Sequence, residues 1–247
     1  MGTILAKDIV SDVQTIIQDQ TGVRWPLDEL LQWLNEGQRQ IVILRPDAYS
    51  VTEAVHLVAG SKQKIPEAGI RLLDVIRNMG IDGSTPGDAV TFCERNHLDT
   101  QRRGWHYQNP AATVLHFVYD DREPTTFYTF PPQPGSGQGW VDLVFSKSPP
   151  LCTIKDVINK DGTSGSANSV ISLDDIYEPP LKDFVVYRSY CKNQTYVRDG
   201  TADAWWTKFL SSLGLKTEAD KAFTPRKNAP PDVNRNVPAN TGAFGDR

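Results

Sequence analysis

At Pro46 the hydrophobic pattern of this chain changes period, and near residue 172 it changes back. No other feature constrains the fold as tightly, because a helix buries one residue in three or four and a strand buries alternate ones. Before the first switch, Leu5, Ile9, Val13, Ile16 and Ile17 mark one stripe over residues 3–20, and Gly22 stands where that helix ends. The next run, "RWPLDELLQWLNEGQRQIVILRPDA", opens on Pro26, carries Asp28 and Glu29 in its first turn to meet the helix dipole, and stops at Pro46. Its buried stripe is Leu27, Leu30, Leu31, Leu34 and Ile41. Gly37 is out of character there, since glycine costs about 1 kcal/mol in a helix interior. The short link between the two helices predicts an antiparallel hairpin.

Beyond Pro46 the chain reads as strands. "SVTEAVHLVAG" alternates up to Gly60, and "SKQKIP" is a short paired strand or its turn. "IRLLDVIRNMG" fits both periods: Leu72, Val75 and Ile76 suit a helix, the branched residues a strand. Val90, Cys93 and Leu98 have near-helical spacing and predict a short helix. "TVLHFVYD", "TTFYTFPP" and "WVDLVFSKSPP" are strands, the last with Val141, Leu143 and Phe145 on one face and Trp140 on the other. "PPQPGSGQG" is the turn between them, and residues 153–170 are a polar loop.

Helical spacing returns in "SLDDIYEPPLKDFVVYRSYCKN", with Leu181, Phe184, Val185 and Cys191 near one face and Arg188 interrupting it. A last helix is predicted over 201–221, capped by Thr201, with Ala204, Trp205, Phe209 and Leu213 on one stripe. From Pro225 the chain is rich in Pro, Asn and Gly, and burial of Val233, Val237 and Phe244 cannot offset its ordering entropy. The expected fold is therefore α+β. Helix pairs at 1–47 and 172–224 form a four-helix bundle, 48–171 is an inserted antiparallel β-rich region, and 225–247 is an extended arm.

Composition narrows the function. Charged residues at 23% and hydrophobics at 39% are ordinary for a soluble protein. No apolar run approaches the ~20 residues a membrane span needs. Cys93, Cys152 and Cys191 are odd in number and far apart, which suits synthesis in a reducing cytoplasm. The net charge is −4; the tail holds Arg226, Lys227, Arg235 and Arg247 against Asp232 and Asp246, a net of +2, leaving −6 on the body. A basic arm on an acidic body reads as an interaction arm.

Catalytic patterns are weak. His56, His97, His106 and His116 make no metal-binding spacing. Cys93 and His97 would share a helix face, but no oxyanion hole is signalled. Asp120–Asp121 and Asp174–Asp175 are adjacent carboxylates, better read as solvated loop or helix-start residues than as a hydrolytic pair. "DTQRRGWHYQ" offers Arg102, Arg103, Trp105, His106 and Tyr107 for stacking on and neutralising nucleic acid, but the acidic body favours a protein-contact loop or a partly buried aromatic cluster. Trp205 and Trp206 are adjacent and cannot both face one core, so one is a candidate for a subunit interface.

Trp25, Glu29-Leu30, Trp33-Leu34-Asn35-Glu36, Gln38, Ile41 and Arg45-Pro46-Asp47 together carry a resemblance. This pattern resembles the N-terminal region of the head-to-tail adaptors of tailed bacteriophages, especially short-tailed ones. It is firmest over residues 4–48; "GIRLLDVIRNMG" and "SLDDIYEPPLKDFVVYRSYCKN" also look like pieces of that family. The resemblance implies a virion structural protein at the head–tail junction, without catalytic, cofactor or metal residues. It implies a dodecameric ring beneath the portal that lengthens the DNA channel and seats the tail or nozzle. DNA would pass through without specific binding, and no membrane is involved. Arg226, Lys227, Val233, Arg235, Val237 and Phe244 then become portal-binding candidates, and Trp33, Trp205 and Trp206 subunit-interface candidates. Arg102, Arg103 and Trp105 are candidates for tail or DNA contact. Two other readings remain: a virion-associated peptidoglycan hydrolase, and a nucleic-acid-binding accessory protein.

Overall fold

A computed structural model of the chain describes residues 2–153, 170–192 and 200–223. It is α+β. Helices α1 (Ala6–Ile16) and α2 (Leu27–Leu44) come first. Strands β1 (Ser50–His56), β2 (Gly60–Lys64), β3 (Gly69–Asn78) and β4 (Thr91–Phe92) follow. Next come helix α3 (Arg95–Gln101) and strands β5 (His116–Tyr119), β6 (Thr126–Gln133) and β7 (Trp140–Lys147). Helices α4 (Glu178–Lys192) and α5 (Thr201–Phe223) complete it. The predicted arm, 225–247, lies outside the described residues.

The helices gather around α4. Residues of α1, α2, α4 and α5 share one apolar cluster that includes Ile9, Val13, Leu30, Leu34, Ile41, Leu181, Val185 and Phe209. Ile16, placed on the α1 stripe by its spacing, is exposed instead, and Ala6 and Val10 are buried. The nearest helix to α2 is α4 and not α1, its neighbour in sequence, so the expected hairpin is the lesser contact. Glu36 meets Arg188 at 3.0 Å and Glu29 meets Lys192, so α2 and α4 run antiparallel. α5 packs on α4, where Lys208 Nζ meets the buried Asp183 at 2.7 Å and the rings of Phe184 and Phe209 stand edge-on at 5.4 Å. Thr201 is the first helical residue of α5 and not its cap: Ala204 N–H donates to the Gly200 carbonyl at 3.0 Å. Ala204, expected on the buried stripe, is exposed.

Gly37 now has a reason. A Cβ built there would lie 2.7 Å from Leu181 Cδ1 and 2.9 Å from Phe184 Cδ1. The glycine lets α4 approach α2 more closely than any side chain allows, which outweighs its helix cost. The α1–α2 link is built on Asp19, whose carboxylate accepts the backbone N–H groups of Val23 (3.1 Å), Arg24 (2.8 Å) and Trp25 (2.8 Å). These bonds, that from Trp25 foremost, hold the Asp19 pKa below the usual aspartate value. Trp25 in turn donates its indole N–H to the Ser189 carbonyl on α4 at 3.0 Å.

The β region forms two sheets. β1–β7–β3 is antiparallel throughout. In β2–β6–β5–β4 the β4–β5 pair is parallel, a departure from the all-antiparallel expectation. The sheets enclose a second core of Leu72, Val75, Phe127, Leu143 and Phe145. Residues 88–90 bridge them: Ala89 pairs with Arg77, and Val90 N–H donates to the Ile76 carbonyl at 3.1 Å. The segment at Val90–Cys93, predicted as helix, is thus extended, and α3 begins only at Arg95. Cys93 N–H donates to the Phe117 carbonyl at 2.9 Å, so Cys93 and His97 share no helix face.

β3 resolves the ambiguity of "IRLLDVIRNMG". Its register against β7 slips between Gly69 and Arg71, Leu72 and Asp74, and Val75 and Arg77. Each slip leaves one residue without a partner: Ile70, Leu73 and Ile76. A strand bulged at every third residue buries Leu72, Val75 and Asn78, a spacing close to that of a helix.

Two outcomes follow. Gly37→Val overpacks the α2–α4 contact and lowers stability by about 1–3 kcal/mol in denaturant titration. The pKa of Asp19 is depressed by folding, so its stabilisation is complete above the unfolded value of about 3.9 and is lost as pH falls through the folded pKa. Asp19→Asn is therefore less stable than the parent at pH 7, and the gap narrows below pH ~3.5 in acid-unfolding curves.

Candidate functional site

The polar residues of α2 hold the two halves of the molecule together. After β7 the chain returns to the helices, and Asn35 grips it there. Asn35 Nδ2 donates to the Cys152 carbonyl at 2.8 Å, and Cys152 N–H donates to Asn35 Oδ1 at 2.9 Å. One helical turn on, Gln38 Oε1 accepts the N–H of Ser172 at 3.1 Å, and its Nε2 lies 3.7 Å from Cys152 Sγ. Both carboxamides are buried. The point where the chain leaves the β region and the point where it re-enters the helices are thus clamped side by side on α2. Asp175 joins the segments that lead into α1 and α4. Its carboxylate accepts Thr3 N–H (2.6 Å), Thr3 Oγ1–H (2.7 Å) and Ile4 N–H (3.2 Å), and the Thr3 bonds lower its pKa. At the other junction, Arg45 reaches both oxygens of Asp47 at 3.1 and 2.8 Å, bracing the turn from α2 into β1.

The sequence pattern Asn35-Glu36 and Gln38 was noted without a role for its amides. The signal was present: two carboxamides interrupt an otherwise apolar stripe. Only the fold shows that a returning strand of backbone lies opposite them.

The basic turn divides. Arg102 and Arg103 are exposed, with Arg102 Cζ 5.4 Å above the Phe130 ring. Trp105 is 1% exposed and sits in a third core with Leu98, Val118 and Phe130. Its indole N–H donates to Asp99 at 2.8 Å, the main cause of that aspartate's lowered pKa, and its ring stacks on His106 at 3.7 Å. Trp105 is therefore not available to stack on a partner, because the outer face of β5–β6 needs a cover and the tryptophan supplies it. Burial pushes the His106 pKa down, and its Nδ1 shares a 2.8 Å hydrogen bond with Ser61 Oγ.

Trp33 is buried in the helical core of its own chain. Trp205 and Trp206 are half-buried: Trp206 packs between Tyr187 and Phe209 at 5.1 and 5.2 Å, and Lys208 Nζ lies 4.4 Å over Trp205. The arm candidates Arg226, Lys227, Val233, Arg235, Val237 and Phe244 lie outside the described residues.

The carboxylates weighed for hydrolysis are engaged in the fold. Asp120 is held by Arg122 at 2.7 Å with its pKa lowered to about 2, and Asp121 meets Arg71 at 2.5 Å. Asp174 caps the turn before α4 by accepting Ile176 N–H at 3.2 Å. A general acid needs a raised pKa, and the shifts at Asp120 and Asp175 run the other way. His116 Nδ1 bonds Thr91 Oγ1 at 2.6 Å, and His56 packs on Trp140 at 4.9 Å. Among the described residues, no three His, Cys, Asp or Glu side chains converge as a metal site, and no helix is long and apolar enough to cross a membrane.

A family model described as SU10 adaptor protein matches residues 5–230, and the chain belongs to that family of phage head-to-tail adaptors. No curated protein matches it.

Asn35→Ala removes both carboxamide hydrogen bonds to the buried Cys152 backbone, at about 0.5–1.5 kcal/mol each. The expected result is a lower unfolding midpoint and faster amide exchange at residues 150–153 and 170–172, with α5 little affected.

Proposed function

We propose that the chain forms the ring that joins the portal to the tail or nozzle and extends the DNA channel. The observation that carries this is the family match over residues 5–230. The ring would be a dodecamer beneath the portal, as the resemblance implies. In this reading the four helices act as one bundle and form the ring wall, with the β region projecting from it. The half-buried Trp205 and Trp206 face a neighbouring subunit. The net −6 of the body repels DNA phosphates and keeps the genome from adhering as it passes. The +2 segment from Pro225 onward is the arm that grips the portal, through Arg226, Lys227, Val233, Arg235, Val237 and Phe244.

Electron microscopy of the purified chain mixed with portal tests the proposal. Rings stacked on the portal are expected, and a chain that stays monomeric and joins no particle overturns it. Deleting 225–247 is expected to abolish portal attachment while leaving the melting profile of the remainder near that of the parent. Unchanged attachment removes the arm's role.

A further inference from the structure

We propose that two opposite faces of the β region are the two halves of a contact between copies of this chain. An arginine–tyrosine face of one copy meets an apolar–acidic face of the next. This rests on the ring reading above and names the surfaces that would build it.

The first face carries the exposed cations Lys62, Lys64, Arg102 and Arg103. Arg71, Arg77, Arg95, Arg122, Lys182 and Arg188 each meet a carboxylate. Lys64, Arg102 and Arg103 are exposed and have no ion-pair partner among the described residues. They lie on the same side of the molecule. Lys62 and Lys64 share the outer side of β2, where Lys62 is 4.0 Å from Glu123 and in register with Tyr128. The ring of Tyr128 touches Trp105 and His106, so the turn bearing Arg102 and Arg103 lies over β2 and β6. Tyr107 stands out from this turn, 85% exposed. Its ring rests against Gly104, where a Cβ would come within 2.7 Å of it. The glycine leaves room for this exposed ring, and Arg and Tyr are enriched among the residues that carry binding energy at protein interfaces.

The second face is the bulged strand. Ile70, Leu73 and Ile76 are 36%, 37% and 39% exposed, in a row at every third residue of β3. Asp74 is exposed among them, its Oδ1 accepting only the adjacent Val75 N–H, with no cation paired to it among the described residues. Strand neighbours run β1–β7–β3 in one sheet and β2–β6–β5–β4 in the other, with residues 88–90 joining β3 to the β4 side. Leu72 and Val75 of β3 share the second core with Phe117 and Phe127 of β5 and β6, so the outer side of β3 and the outer side of the β2–β6–β5 sheet face away from each other. Two different, complementary patches on opposite sides give a head-to-tail contact, the kind that closes rings. A second copy fits better than nucleic acid: the acidic body repels phosphates, and a row of isoleucine and leucine offers a duplex nothing.

The test is native mass spectrometry and mass photometry of the full chain, alone and on portal, with circular dichroism to verify folding. R102E/R103E, Y107A and D74R are each expected to raise the half-assembly concentration at least tenfold while melting like the parent. R102E/R103E combined with D74R is expected to recover part of the loss. Variants that fold and assemble like the parent overturn this contact and leave the ring reading intact. A parent chain that never assembles, alone or on portal, overturns the ring reading and this inference with it. Assembly that survives R102E/R103E while salt-sensitive DNA binding is lost overturns it in favour of a nucleic-acid face.

Discussion

A backbone strand laid against a helix must find partners for its N–H and carbonyl groups, and here it finds them in one carboxamide. Asn35 satisfies both groups of Cys152, in a site from which water is largely excluded. Buried polar groups are worth little when paired and are expensive when orphaned. That asymmetry makes the clamp specific: the returning chain can lie in one register on α2, and Gln38 sets the next segment through Ser172. The β region has two ties to the helices, the braced turn at Arg45–Asp47 and the clamp at Asn35 and Gln38, while the Asp175 contacts to Thr3 and Ile4 join the segments that lead into α1 and α4.

The helices are arranged by close approach as much as by apolar area. Gly37 admits Leu181 and Phe184 to the surface of α2, which puts α4 between its neighbours and brings Trp25 within reach of Ser189. The rim pairs Glu36–Arg188 and Glu29–Lys192 are partly exposed and add little energy, but they agree with the register that the glycine permits. Arg188, which interrupts the apolar face of α4 in sequence, does so because that edge meets Glu36.

Much of the architecture was legible in the chain, for physical reasons. Periodicity located every long helix and most strands, because one-sided burial repeats at 3.6 or 2 residues. It failed where another backbone device imposed its own repeat. β3 is bulged at every third residue, so its buried set mimics a helix. The stretch Val90–Cys93 has helical spacing but takes hydrogen bonds offered by β3 and β5. For the candidate contacts, the exposed arginines 102 and 103 were recognisable as charges, whereas Trp105 was not recognisable as core. A tryptophan beside two arginines looks the same in sequence whether it covers a sheet or faces solvent.

By itself the sequence determined the order of the parts: helices, then strands, then helices, then a basic segment too poor in apolar residues to bury itself. It also carried, in the pattern from Trp25 to Asp47, the mark of the adaptor family to which the chain belongs. Only the tertiary structure decided what that pattern is for. Asn35, Gln38 and Gly37 have meaning through residues more than a hundred positions away, at Cys152, Ser172, Leu181 and Phe184. Local propensity and spacing hold no information about partners that distant, because those contacts form only when the β region is complete and the chain has come back.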